Sequence, residues 1–231
     1  MNRIKIVGIV NVTRDSFSDG GAHLAPENAV ARARQLSLDG AQIIELGPAS
    51  SHPEAESVSD ADQIRRLEPI FDALDNEQIS LSIDATRPAV QRYALSRDAD
   101  FINDVRGFPE SNSYRDLAGA NCQLVVMHAL MRGERAALRE SNPETIFNDV
   151  IRFFEQRIAS LTAAGIDRDR LILDPGMGFF LGTNAESSIA VLRRTEELRR
   201  RFGLPVMISV SRKSFLRKIT GKGLDEIGPA T

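Results

Sequence analysis

The feature that most constrains this chain is an alternation. Seven apolar runs of strand length, at 4–10, 41–46, 79–84, 100–105, 123–128, 170–175 and 205–210, are separated by stretches with helical period. The helical stretches are "PENAVARARQLSLDG", "SDADQIRRLEPIFDAL", "RPAVQRYALSRD", the weaker "SYRDLAGA", "NPETIFNDVIRFFEQRIASLTAAG" and "ESSIAVLRRTEELRRRFG". Strands apolar on both faces need helices on both faces, which implies a parallel sheet. Nearly every run ends in a polar side chain: Asn11, Glu45, Asp84, Asn103 with Asp104, His128, Asp174, and Ser211 with Lys213 just beyond. An open doubly wound sheet would scatter these ends, whereas a barrel gathers them at one mouth. The predicted fold is therefore α/β, a (β/α)8 TIM barrel.

A closed eight-stranded barrel takes roughly 250 residues, and this chain has 231, ending after the seventh run. The expectation is one domain over 1–231, C-terminally incomplete, without the last helix, strand and partner helix. Seven strands would leave two unpaired edges. Helix ends carry their own signals. Asn142 before Pro143 suits an N-cap, and Gly40, Gly165 and Gly203 stand where C-terminal glycines belong.

The formal charge of −3 gives no basic excess for a nucleic-acid surface. Cys122 is the single cysteine, so no disulfide framework forms, and a buried thiol in a reducing compartment is expected. No apolar run approaches the roughly 20 residues of a membrane span, and the N-terminus lacks a signal-peptide pattern. The expected location is the cytoplasm. His23, His52 and His128 lack metal-ligand spacing.

At the mouth, Asp84, Asn103, Asp174 and Lys213 would supply two carboxylates, an amide and an ammonium, with no histidine-centred triad. That set suits a flat polar heterocycle: a carboxylate accepts from adjacent N–H groups in parallel, and Asn both donates and accepts. Asn11 opens "NVTRDSFSDGG", a loop able to hold a diphosphate and Mg2+, which shares its oxygen ligands with substrate phosphates. Turn chemistry accounts for Asp19, Gly20 and Gly21 equally well. The segment "LILDPGMGFFLGTNAES" sets a carboxylate at a strand end and two phenylalanines in a glycine-loosened loop.

Six segments, "GIVNVTRDSFSDGG", "SIDATRP", "FINDVRGF", "VVMH", "LILDPGMGF" and "ISVSRKSF", resemble dihydropteroate synthase in their order and over essentially the whole chain. The resemblance implies a pterin-binding barrel that joins 6-hydroxymethyl-7,8-dihydropterin diphosphate to p-aminobenzoate, with Mg2+, in folate biosynthesis. It implies that Asp84, Asn103, Met127, Asp174 and Lys213 hold the pterin, with Asp84 and Lys213 catalytic. Asn11 would meet Mg2+ and the diphosphate, and Ser211 would flank p-aminobenzoate. It further implies a homodimer where the C-terminal elements are present, with small-molecule partners and no nucleic acid or membrane. The family's Arg-x-His motif on an eighth strand has no counterpart here.

Two departures from the common pattern stand out. "LGPASSHP" replaces a Gly-Gly-Glu-Ser-Thr-Arg-Pro type loop, placing Ser51 and His52 where Thr and Arg are usual. "GMGFFLGTNAES" replaces a shorter Gly-x-Gly-Phe-Gly-Lys type segment. Both resemble the sulfonamide-insensitive, mobile drug-resistance branch. Phe179 and Phe180 are then expected to wall the p-aminobenzoate pocket, Phe180 excluding drugs that extend past the substrate carboxylate. Two other readings stay open: a related methyltetrahydrofolate methyltransferase, and a truncated, inactive pterin-binding remnant.

Overall fold

The structure is a computed structural model that describes residues 4–13, 25–50, 55–132, 135–136, 140–211 and 213–221. The chain divides into two compact units, 1–104 with 110–124, and 105–109 with 125–231.

In the first unit, strands β1 (Val7–Asn11), β2 (Ile43–Gly47), β3 (Ser80–Asp84) and β4 (Phe101–Asp104) pair in chain order, all parallel. Helices α1 (Pro26–Leu38), α2 (Asp60–Leu74) and α3 (Pro88–Ser96) connect them, and the short α4 (Tyr114–Gly119) follows β4. The pattern of α2 shows why such segments are helices. Gln63, Leu67, Ile70, Phe71 and Leu74 form its buried stripe. At its start the Ser59 hydroxyl accepts the Asp62 N–H at 3.1 Å, filling one of the donors a helix N-terminus leaves open. All five residues of β2 are buried, as expected of a parallel strand covered on both faces.

Strand β5 (Gln123–Met127) begins in the first unit, where the Gln123 N–H bonds the Asp100 carbonyl at 2.8 Å, and runs into the second. There follow a two-residue pair, β6 (Met131–Arg132) with β7 (Arg135–Ala136), antiparallel, then the long helix α5 (Ile146–Ala163) and β8 (Leu171–Asp174). The main strand order is β1-β2-β3-β4-β5-β8. Helices α6 (Ala185–Arg193), α7 (Thr195–Phe202) and α8 (Ser214–Thr220) complete the second unit.

Six of the seven predicted runs are strands. The seventh, 205–210, makes only an isolated parallel bridge, Leu173 with Val206, in which Pro205 offers its carbonyl and has no N–H to give. The single helix expected over 186–203 is two, broken at Arg194, whose backbone leaves the helical region at φ −109°, ψ 15°. Its guanidinium stacks 3.7 Å from the Phe147 ring centroid, and its fork reaches Glu197. The chain also continues past the seventh run into α8, too short for its period to show in the sequence. Asn142 caps by accepting the Glu144 N–H at 2.9 Å, although regular helix begins at Ile146. Gly40, Gly165 and Gly203 all take positive φ at helix ends. Cys122 is buried and, as the single cysteine, forms no disulfide within the chain.

Candidate functional site

The strand ends of the first unit fall into register rows. Asn11 pairs with Gly47, and Asp84 with Asn103; two residues back, Ile9, Glu45, Ser82 and Phe101 form one continuous row. Parallel strands in register present matched residues on the same face. The polar residues that read as strand ends in the sequence are thus stacked in two layers.

Adjacent Asn103 and Asp104 serve opposite faces of β4. Asn103, 4% exposed, donates from Nδ2 to Glu45 Oε2 at 3.0 Å, and the Ser82 hydroxyl donates to the same oxygen at 3.1 Å. Asp104 turns to α3, where it accepts from Gln91 Nε2 at 3.2 Å, and the same nitrogen bonds the Ala85 carbonyl at 2.9 Å. Asp104 therefore docks a helix, while Asn103 belongs with the row that includes Asp84.

Asn11 is held by a close approach. A Cβ at residue 47 would lie 3.2 Å from Asn11 Oδ1, so glycine at 47 lets the amide lean across β2. Arg66, on α2, ties the following backbone by donating to the Val12 and Pro48 carbonyls at 3.3 and 2.7 Å. Ser51 and His52 lie outside the described residues. A cavity of about 630 Å³ opens at the opposite ends of these strands, around Ser80, Leu81, Arg97 and Asp100. None of the candidate residues lines it.

In the second unit Asp174 ends β8 buried, with Oδ1 accepting the Gly176 N–H at 2.8 Å. This short turn directs the chain into the aromatic segment. Met127, at the end of β5, packs with Val105 and Phe180 in one buried cluster, with Ala129 and Phe179 against it. His128 is structural: its N–H bonds the Asp174 carbonyl at 2.8 Å and its ring stands edge-on to Phe153.

Phe179 and Phe180 sit on a 3-10 turn, Gly178–Leu181, with ring centroids 4.3 Å apart. Successive residues of such a turn leave the backbone about 120° apart, so the two rings differ in depth although they end in contact. Phe180 is 4% exposed and Phe179 is partly buried beside it. The turn is fastened at several points. The Ser188 hydroxyl accepts the Gly178 N–H at 3.0 Å, the Leu130 N–H bonds the Phe180 carbonyl at 2.8 Å, and Ser141 donates to the Leu181 carbonyl. The Lys213 ammonium lies 5.3 Å from the Phe180 ring centroid and 6.0 Å from that of Phe179. Ser211, two residues earlier, is exposed.

The pterin binding enzyme family model matches residues 7–229. A dihydropteroate synthase type-2 of Escherichia coli is 53% identical over 232 residues, covering all of this chain and 85% of that protein. The chain belongs to the dihydropteroate synthase family. A type-3 enzyme of Escherichia coli is 51% identical across 94% of this chain and 82% of its own length. The dihydropteroate synthase of Escherichia coli K12 is 34% identical across 96% and 77%. Among solved structures, the Yersinia pestis dihydropteroate synthase with a sulfonamide drug complex superposes with a TM-score of 0.87 at 32% identity, covering 97% of this chain and 80% of that one. The Xanthomonas albilineans enzyme with 4-aminobenzoic acid gives 0.85 at 34% identity, covering 97% and 79%. The α/β barrel class expected from the sequence is the class of this family.

Within the first unit the structure brings Asp84 and Asn103 together in register, and within the second it gathers Met127, Phe179, Phe180 and Lys213 around one turn. Three contributors carried no assigned role in the sequence: Glu45, Arg66 and Ser188. Glu45 was visible as a polar strand end, but in a strand buried throughout, alternation does not reveal its face. Arg66 and Ser188 lie on helices, where Arg and Ser are ordinary.

Proposed function

We propose that the chain transfers the dihydropterin methylene from diphosphate to the amine of p-aminobenzoate, and that it does so in the presence of sulfonamides. The C–O bond to diphosphate breaks, a C–N bond to the arylamine forms, and the amine loses one proton. In this reading Asp84, Asn103, Met127, Asp174 and Lys213 hold the pterin, with Asp84 and Lys213 nearest the chemistry. The task is to orient two reactants and to stabilise separating charge, which polar clamps achieve without a strong nucleophile. The register pairing of Asp84 with Asn103, in a chain of this family, carries the reading.

Asn11 suits Mg2+ as a single oxygen donor. Among the described residues no group of three or more His, Cys, Asp or Glu side chains could cage a metal. A cation that keeps its waters and shares substrate phosphates needs no cage. Bound with the diphosphate, Mg2+ would neutralise leaving-group charge. Ser51, His52 and Ser211 take the p-aminobenzoate side, with the Phe179–Phe180 turn as its wall. The packed state of Phe180 supports its serving as the base of that wall, and the drug-excluding role that the sequence reading gave to Phe180 passes in this proposal to the less buried Phe179 at the rim. The homodimer follows from the family resemblance. No helix among the described residues is long and apolar enough to cross a membrane, and the cytoplasmic placement follows from the family resemblance.

The test is a steady-state assay with dihydropterin diphosphate, labelled p-aminobenzoate and Mg2+. Equimolar dihydropteroate and diphosphate are expected, with little inhibition by a sulfonamide at the p-aminobenzoate concentration. Pterin binding without diphosphate release would favour the inactive remnant. Half-inhibition at equal concentrations would remove the resistance claim.

A further inference from the structure

We propose that Glu45 is a positioning residue that decides which atom of the Asn103 amide meets the ligand. The inference rests on the dihydropterin reading above and deepens it. Glu45 is 5% exposed, and its row partner Ser82 is 2% exposed. Glu45 Oε2 accepts from Ser82 Oγ at 3.1 Å and from Asn103 Nδ2 at 3.0 Å. An amide side chain has two faces of nearly equal shape, one donating and one accepting, and its orientation follows from its partners. A carboxylate accepts only, so turning the amide over would set Asn103 Oδ1 against Glu45 Oε2. That arrangement is repulsive, and the amide is locked with its nitrogen on Glu45.

The consequence falls on the other end of the amide. Asn103 Oδ1 is buried with no hydrogen-bond partner among the described residues. A buried acceptor left unpaired is unfavourable, and native proteins rarely keep one without a use. An N–H donor on a ligand would relieve it. Because Asp84 stands in register with Asn103, that ligand edge meets acceptors from two neighbouring strands. Glu45 thereby makes the site selective for an edge carrying adjacent N–H groups, and adverse to one that presents an acceptor to Asn103. It does so without touching the ligand.

The experiment is calorimetric titration of the full chain with 6-hydroxymethyl-7,8-dihydropterin diphosphate. It uses wild type, Glu45→Gln, Glu45→Met, Asn103→Ala and the Glu45→Met/Asn103→Ala pair, each with a urea unfolding curve. Glu45→Gln keeps an amide oxygen for both bonds and should bind within about threefold of wild type. Glu45→Met and Asn103→Ala should each lose about tenfold or more, and the double variant no more than the larger single loss, because one change unfixes and the other removes the same Asn103 oxygen. Additive losses would overturn the proposal. So would a Glu45→Met protein that unfolds more easily yet binds normally, since Glu45 would then serve stability alone.

A second measurement covers the case in which Glu45→Met does not fold. In wild type labelled with 15N-asparagine, the Asn103 side-chain amide protons should be protected before ligand is added and keep their shifts afterwards. Protection gained only with ligand would place Nδ2 on the ligand and overturn the assignment. Wild type that binds no dihydropterin at all would instead overturn the reading of the site, a result distinct from any behaviour of the variants.

Discussion

Gly176 passes directly under His128. A Cβ at residue 176 would fall inside van der Waals contact of the His128 carbonyl oxygen, and the residue has φ +76°. The aromatic turn thus enters from a position that no side chain can occupy.

Gly176→Ala should accordingly destabilise the chain by more than the roughly 1 to 2 kcal/mol that a left-handed conformation alone costs an L-residue. Gly165→Ala supplies the comparison, because Gly165 has φ +86° and nothing within 4 Å of an added Cβ. Urea midpoints of the two variants read the difference. Equal losses would mean that the backbone moves aside at residue 176.

The two phenylalanines should separate in experiment. Phe180→Ala empties a packed cluster with Val105 and Met127 and should cost about 3 to 5 kcal/mol of stability. Phe179→Ala removes a ring that is only partly buried, so it should leave the unfolding midpoint nearly unchanged while lowering the sulfonamide inhibition constant more than the KM for p-aminobenzoate. Parallel changes in both constants would show that the turn binds without discriminating.

Ser188→Ala orphans the Gly178 N–H, which the Ser188 hydroxyl now satisfies. A loss of about 1 to 3 kcal/mol is expected, with faster amide exchange at Gly178 and in the residues that follow. Unchanged exchange would mean that Leu130 and Ser141 hold the turn without it.

Asn11→Ala should raise the Mg2+ concentration needed for half-maximal rate while leaving the affinity for a diphosphate-free dihydropterin alone. Measuring both separates a metal role from a general one. A fall in affinity for the diphosphate-free pterin would place Asn11 on the ring instead.

The strand order and the polar strand ends were legible because parallel strands covered on both faces read as apolar runs that stop at a charge or an amide. Asp84, Asn103 and Asp174 were found this way. What stayed hidden depends on register or on single side chains. The division of labour between Asn103 and Asp104 could not be read, since both are polar neighbours and only the register of β4 on β3, and of β3 on β2, decides which one meets Glu45. The break at Arg194 was invisible because the surrounding residues are good helix formers, and what accompanies it is a stack on Phe147, 47 positions earlier in the chain. The sequence singled out Phe180 of the adjacent rings without showing that it is the packed one, because burial here follows from the pitch of a short turn.

The fastening of the Gly178–Leu181 turn at Ser188, Leu130 and Ser141 has a kinetic consequence. Its shape is settled when the chain folds, so the conformational entropy of ordering it is lost once in the life of the molecule and not at every turnover. A ligand that meets the aromatic turn therefore meets a surface already ordered, and spends none of its binding energy on ordering it.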